Sequence, residues 1–282
     1  MKNKIIQQVS FLLIGACILI TLFFLASLIY FIAKNGLPVL SWSFLTQPPK
    51  DAMSSGGVAP AIIGTFYLTL GAIIIAAPLG LACAIYLQEY CQKGTVASII
   101  KIGVNNLAGV PSVVFGLFGL TFFVKFLGFG ISILSGALTL AILILPSIIS
   151  ASCEALNAVP NSIREASLAL GATQFQTIRK AVLPCAFGAV MTGIILSIAR
   201  AAGETAPILF TAAAFYKRGY PDSIFSETMA LPYHIYALMT EGTNPAKQEP
   251  IAYGCALILM LMVFIISLAA IFLRNKYRRK NG

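Results

Sequence analysis

Long apolar runs without a charged residue constrain this chain more than any other feature of its sequence. The first run extends over residues 5–33, and a helix needs about 20 apolar residues to cross a hydrocarbon core about 30 Å thick. Only 10% of all residues are charged, whereas about a quarter are charged in a typical soluble domain. The sequence therefore predicts a protein that lies in a lipid bilayer.

Several further segments approach the length that a membrane span requires. Between them lie connections that are polar or rich in proline and glycine, which break helices. We therefore predict an all-α polytopic membrane protein with six transmembrane helices. The predicted spans are residues 9–32, 61–87, 102–124, 129–150, 183–215 and 251–273.

The predicted spans divide the chain into three parts. We expect residues 1–58 to form the first span and an outer loop, and residues 59–273 to form a core of five spans with a long connection at 151–184. Residues 274–282 are expected to form a basic tail. Lys and Arg are more numerous on the side that carries both termini and this connection, and the positive-inside rule places that side in the cytoplasm.

The net charge of +10 would suit nucleic acid, but the basic residues flank apolar runs and form no patch with interleaved aromatic residues. Orientation in the bilayer and contact with anionic lipid account for this charge. The six cysteines include no Cys-x-x-Cys pair, and His234 is the single histidine. We therefore expect no nucleic-acid partner, no metal site and a surface or packing role for His234.

The connection at 151–184 is predicted to hold two short helices joined by a glycine bend. Pro160 can begin the first helix, and Gly171 can end it in a left-handed turn. Apolar residues recur at a spacing of three to four from Ile163 to Leu170, which gives this helix one apolar face. From these residues alone, an amphipathic helix on the membrane surface is the alternative.

The same connection resembles the EAA loop of ABC importer permeases, a family with a MetI-like fold. Glu165-Ala166-Ser167, Gly171 and Leu183-Pro184 fall at the spacing of that motif, with Ser167 where alanine is usual and Ala181 where isoleucine is usual. The resemblance implies a coupling helix that docks on a cytoplasmic ATPase. The coupling residues that it implies are Arg164, Glu165, Ala166, Ser167 and Gly171.

Two charged residues, Arg200 and Glu204, lie inside the predicted fifth span. They are four residues apart and share a helix face, so they can form an ion pair. A charge at the centre of a bilayer costs about 2.5–3.5 kcal/mol on insertion scales, which makes an intramembrane ion a functional hypothesis by default. Pro207 cannot donate to the carbonyl of Gly203 and predicts a bend beside the pair. Two roles stay open for this pair: contact with a transported solute, or mutual neutralisation that locks helix packing.

The stretch from Arg200 to Pro207 resembles the phosphate-specific branch of the ABC importer permeases, in which Arg-Ala-x-Gly-Glu-Thr-Ala-Pro is typical. Segments 56–62 and 106–116 agree with that branch, and segment 231–236 agrees with its A-type subunit. The resemblance implies a permease subunit of an ATP-driven phosphate importer in a prokaryotic inner membrane. It places Arg200, Glu204 and Thr205 in the substrate pathway, and Gly203 and Pro207 at the helix bend.

The resemblance also implies partners. They are a homologous second permease of the C-type, two copies of a cytoplasmic ATP-binding subunit and an extracytoplasmic phosphate-binding protein. The sequence has no Walker A pattern, so we expect ATP and Mg²⁺ to be used by the partner ATPase, with no cofactor and no catalytic residue in this chain.

Three alternatives compete with this function. The first is a permease for another oxyanion, such as sulfate or molybdate, and only the resemblance in the fifth span favours phosphate over these solutes. A secondary transporter would have no ATPase on which the coupling loop could dock. A membrane-embedded lipid phosphatase needs a nucleophile with a base or a metal cluster, and the scattered carboxylates provide neither.

Overall fold

A computed structural model describes residues 2–51, 53–91, 94–216, 219–242 and 244–281. Five helices are long and apolar enough to cross a membrane, or six if one bent pair counts as a single span. This confirms the predicted all-α polytopic architecture. The α-helices are α1 Lys2–Gly36, α2 Trp42–Thr46, α3 Ala59–Ile85, α4 Thr95–Ala108, α5 Ser112–Gly119, α6 Ile133–Asn157, α7 Asn161–Ala169, α8 Gln174–Thr177, α9 Leu183–Gly203, α10 Ala206–Thr211, α11 Leu231–Thr240 and α12 Pro245–Asn281.

Shorter elements extend or connect these helices. Two strands, β1 Pro49–Lys50 and β2 Ser55–Gly56, pair in antiparallel register between α2 and α3. A 3-10 turn at Leu37–Val39 follows α1. Three π-helical segments continue α3, continue α5 and precede α9; they are Tyr86–Tyr90, Leu120–Phe126 and Ile178–Val182.

The centre of the bundle is the packing of α3 against α6. Small residues allow these helices to approach closely, since a Cβ added at Gly71 would lie 2.9 Å from that of Ala137, and one added at Gly80 would meet Ile148. These two contacts occur in the same order along both helices, so α3 and α6 run in the same direction. Ile144 and Ile148 are fully buried at this interface, and α9 packs against another side of α6.

The predicted third span is two helices rather than one. The axes of α4 and of the helix from Ser112 to Phe126 differ by 103°. Pro111 lies at the break, where it lacks an N–H group and disfavours helical geometry in the residue before it. A Cβ at Gly116 would lie 2.9 Å from the carbonyl oxygen of Ala206. Glycine at this position therefore allows α5 to pack closely against α10.

The predicted fifth span also ends earlier than its apolar sequence indicates. Helix α9 stops at Gly203, and Glu204 takes an extended conformation with φ −73° and ψ 130°. Helix α10 begins two residues later, with Pro207 in its first turn. Proline is favourable there because the missing N–H group has no partner within the helix. The chain is therefore broken before Pro207 and not merely bent at it.

The segment that precedes α12 folds over the end of the bundle where α6 begins. The amide groups of Ile133 and Leu134 donate to the carbonyl oxygens of Ser226 and Ile224 at 3.0 and 2.9 Å. In this region His234 is 2% exposed, so it is a packing residue and not a surface residue. Its two ring nitrogens have no hydrogen-bond partner among the described residues.

The two ends of the chain have fewer internal contacts. Helix α1 packs mainly on α12, and the rings of Phe31 and Tyr253 meet edge to face with their centroids 5.5 Å apart. The backbone of α12 continues to Asn281, but the side chains of the predicted basic tail from residue 277 onward lie outside the described part of the structure.

Candidate functional site

Arg200 lies in the last turn of α9, immediately before the chain leaves the helix. Its Nε lies 3.4 Å from Oε1 of Glu204, so the predicted pair forms. Its Nη1 donates a hydrogen bond of 3.3 Å to Oγ of Ser147 on α6. The Arg200 side chain is 47% exposed, compared with 17% for Glu204. The guanidinium is thus held between two helices and is still accessible to a solute.

The chemistry of this arrangement suits transient binding of an anion. A guanidinium can bind a tetrahedral oxyanion at two points, and both contacts that Arg200 makes are long for charge-assisted hydrogen bonds. The carboxylate of Glu204 neutralises part of the charge and competes with an incoming anion. Passage requires binding that is favourable enough for entry and weak enough for exit, and a carboxylate beside a guanidinium is suited to that requirement.

The backbone at the break indicates water or protein beside the charged pair. Non-helical backbone is tolerated at membrane depth only where it is buried in protein or lines a water-filled cavity. Thr205 is half-buried there and does not cap α10 through its side chain. A Cβ at Gly203 would meet nothing within 4 Å, so this glycine weakens the helix through its low propensity and not through a close contact.

The connection between α6 and α9 has the predicted order of helix, glycine bend and helix. Helix α7 ends at Ala169, and Gly171 has a φ of +81°, which confirms the left-handed turn. Thr173 and Gln176 then form a capping box at the start of α8. Each of these two residues satisfies a backbone N–H group at the helix start, which fixes where α8 begins.

The predicted coupling residues divide between two faces of α7. Glu165 and Ala166 are exposed, whereas Arg164 and Ser167 are half-buried. The hydroxyl of Ser167 lies 2.9 Å from that of Thr177, which ties α7 to α8. One face of the loop is therefore free to meet a partner, and the other is fastened to the rest of the protein.

The main contact that holds the loop on the rest of the protein is an ion pair between Arg164 and Glu89. The sequence alone did not identify Glu89. Nη2 of Arg164 lies 2.7 Å from Oε1 of Glu89, and the two side chains are 15% and 5% exposed. The same guanidinium donates to the carbonyl oxygens of Leu156 and Val159 at 2.9 and 2.7 Å. The Gln174 side chain donates to the backbone oxygen of Glu89. The coupling loop is thus anchored to the end of α3 and to the end of α6.

Comparison with known proteins identifies the family to which the chain is similar. The family model described as "Binding-protein-dependent transport system inner membrane component" matches residues 76–279. The probable ABC transporter permease protein YqgI of Bacillus subtilis (strain 168) is 31% identical over 291 residues, with 99% of each chain covered. The phosphate transport system permease protein PstA 1 of Mycobacterium tuberculosis is 39% identical over 235 residues, which are 83% of this chain and 75% of that protein.

A solved structure shows the same fold. One chain of a bacterial alginate ABC transporter, crystallised in complex with an alginate pentasaccharide-bound periplasmic protein, superposes with a TM-score of 0.69. The two chains are 14% identical, and the match covers 96% of this chain and 95% of that one. The broken fifth span and the anchored loop are therefore set in a fold found in solved transporters.

Proposed function

The chain belongs to the family of binding-protein-dependent transport system inner membrane components, and we propose that it is the membrane-spanning permease subunit of an ATP-driven importer of inorganic phosphate. The observation that carries this proposal is the accessible guanidinium of Arg200, held by Ser147 and Glu204 beside a break in a membrane helix. The likeness to a phosphate transport permease over 83% of the chain supports phosphate as the solute.

In this function Arg200 meets the phosphate as it crosses the membrane. The exposed part of the guanidinium offers donors to the oxygens of phosphate, while Glu204 limits how long the anion stays. Thr205 lies next to the pair and supplies a hydroxyl to the same pathway. Gly203 and Pro207 keep the helix open at this point, because the first is the last residue of α9 and the second lies in the first turn of α10.

The subunit works as part of a larger complex. A homologous C-type permease completes the pathway, two copies of a cytoplasmic ATP-binding subunit bind and hydrolyse ATP with Mg²⁺, and an extracytoplasmic phosphate-binding protein delivers the solute. The chain itself supplies no ATPase site and no catalytic residue. The surface formed by Glu165, Ala166 and the 89% exposed Leu170 docks on the ATPase.

The orientation follows from this assembly. The coupling loop faces the cytoplasm, because the ATPase is there, and both termini lie on the same side. Arg200 then lies at the end of α9 that points away from the loop, where it meets phosphate arriving from outside.

Reconstitution of the complex tests the function. This chain is expressed with a C-type permease and an ATP-binding subunit of a phosphate importer, and the purified complex is placed in proteoliposomes that contain ATP and Mg²⁺, with the binding protein outside. We expect ATP-dependent uptake of radiolabelled phosphate that excess sulfate or molybdate does not reduce. Uptake of sulfate or molybdate in preference to phosphate would contradict the assigned solute, and uptake without a second permease would contradict the assembly.

A further inference from the structure

A cavity of about 230 Å³ with several polar side chains in its wall lies at the end of the bundle that carries the predicted coupling loop. This volume would hold about eight water molecules at roughly 30 Å³ each, which is enough for a small hydrated anion. Its wall is formed by the end of α3, by α4 and by α6. The polar side chains in this wall, besides Cys153, are Gln88, Lys101, Asn105, Ser150 and Glu154.

The cavity continues a polar face of α6 that begins beside Arg200. Ser147 accepts the hydrogen bond from Arg200. Ser150 and Glu154 follow Ser147 at spacings of three and four residues, so all three lie on one helix face. From Ser147 to Glu154 the helix rises roughly 10 Å. The face therefore leads from the charged pair of the broken span to the end that carries the loop.

This face of α6 is unsuited to lipid. Ser147 and Ser150 are half-buried and Glu154 is exposed, while Ile144 and Ile148 fill the buried side of the helix. Charged residues within transmembrane segments almost always face the bundle interior or a water-filled cavity. With Arg200 bonded to Ser147 and Glu154 near the end of α6, this face is suited to water and not to lipid.

We propose that Lys101, Asn105 and Ser150 form a transient oxyanion site in this cavity, which holds phosphate after it leaves Arg200 and before it reaches the cytoplasm. The inference rests on the proposed function. Lys101 has no ion-pair partner in the part of the chain that the structure describes, so its ammonium is available to an anion. The amide of Asn105 and the hydroxyl of Ser150 supply further donors on either side of the cavity.

Glu154 weakens anion binding at this site, as Glu204 does at Arg200. Its carboxylate lines the cavity with Lys101 and repels a bound anion. An ammonium is a point charge without the two-point fork of a guanidinium. The site therefore holds phosphate more weakly than Arg200 does, which favours movement toward the cytoplasm and release there.

Inhibition by phosphate on the inner side tests this site. The complete complex is reconstituted with ATP, Mg²⁺ and graded phosphate inside the vesicles, and uptake of radiolabelled phosphate from outside is measured. Phosphate that occupies the exit site from inside blocks the path. We expect Lys101→Gln to raise the internal concentration that halves uptake at least about threefold, and Glu154→Gln to lower it. For Lys101→Arg, the internal phosphate concentration that halves uptake should stay within about twofold of that of the unmodified complex.

Lys125→Gln is the matched control, because it removes an exposed lysine from the opposite end of the bundle and should leave the inhibition unchanged. If the unmodified complex takes up phosphate and Lys101→Gln is inhibited like Lys125→Gln, the exit site is wrong while the proposed function stands. If the unmodified complex takes up no phosphate, the proposed function is wrong and the exit site is wrong with it.

Discussion

The guanidinium of Arg164 lies 2.7 Å from the carboxylate of Glu89, although 75 residues separate them in the chain. Arg164 lies in the loop helix that carries the proposed docking surface, and Glu89 lies in the π-helical turn that continues α3. Both side chains are largely buried, so this pair is shielded from solvent far better than a surface ion pair. It is a direct mechanical link between the coupling loop and a membrane helix.

Breaking this link should uncouple the two halves of the transport cycle. Glu89→Gln leaves a buried guanidinium without its counter-charge, and breaking a buried pair in this way typically costs about 3–5 kcal/mol. We expect ATP hydrolysis to continue while phosphate uptake falls severalfold, so the amount of phosphate moved per ATP drops. The measurement is uptake beside ATP hydrolysis at equal membrane abundance.

Two further variants distinguish the loss of this ion pair from a general loss of negative charge. Glu241→Gln removes an exposed carboxylate at the end of α11 and should leave the amount of phosphate moved per ATP unchanged. The exchange of Glu89→Arg with Arg164→Glu should restore the ratio in part, because the pair returns but the bonds to Leu156 and Val159 are lost. A normal ratio in Glu89→Gln would contradict the link.

The glycine bend of the loop gives a second prediction. Gly171 has a φ of +81° with open space around its Cα, so Gly171→Val strains the backbone without a collision. The left-handed conformation costs a non-glycine residue roughly 1–2 kcal/mol. We expect the loop to relax into another shape, so that the spans insert normally but uptake falls. Glu165→Lys should also reduce uptake, since it reverses the charge on the docking surface.

Gly128→Val is a control for backbone strain at a position away from the coupling loop. Gly128 has a φ of +70° and open space around it, like Gly171, but it precedes α6 at the opposite end of the bundle. Normal uptake in Gly171→Val and Glu165→Lys, measured beside membrane abundance, would count against the docking role of the loop.

The charged pair of the broken span distinguishes a pathway role from a packing role. Arg200→Lys keeps the charge but loses the two-point fork, so uptake should fall sharply at normal protein abundance. The double variant Arg200→Gln with Glu204→Gln removes both charges together. We expect it to insert, assemble and hydrolyse ATP without moving phosphate. Uptake near the unmodified rate in the double variant would contradict the pathway role and leave the pair with a packing role only.

The buried imidazole of His234 predicts a pH dependence of stability. Burial lowers the pKa of His234 from 6.5 to about 4, so the fold favours the neutral ring. The stabilising contribution is complete above pH 6.5 and is lost as the pH falls toward 4, amounting to about 3 kcal/mol at 1.36 kcal/mol per pKa unit. His234→Phe should flatten the pH dependence of the Tm of the purified complex across this range. The same slope in both proteins would contradict the prediction.

The sequence by itself determined the membrane class, most of the spans and the shape of the coupling loop. A helix in a bilayer satisfies its own backbone hydrogen bonds, so each span is a local property that length and hydropathy can indicate. The turn at Gly171 is local for the same reason, because glycine adopts positive φ without cost. The spacing of Arg200 and Glu204 likewise predicted their ion pair, which forms although Glu204 lies just beyond the end of α9.

Tertiary structure decided what these local elements touch. Ser147 meets Arg200 across 53 residues, and Glu89 meets Arg164 across 75. Neither partner carries a local signal, since a serine in an apolar helix and a glutamate at a helix end are both common. The sequence also left the fifth span continuous to residue 215, because hydropathy does not distinguish one apolar helix from two. The packing of α10 against α5 and α6 stabilises the short second helix, so contacts between helices act together with Gly203 and Pro207 to set the break beside Arg200.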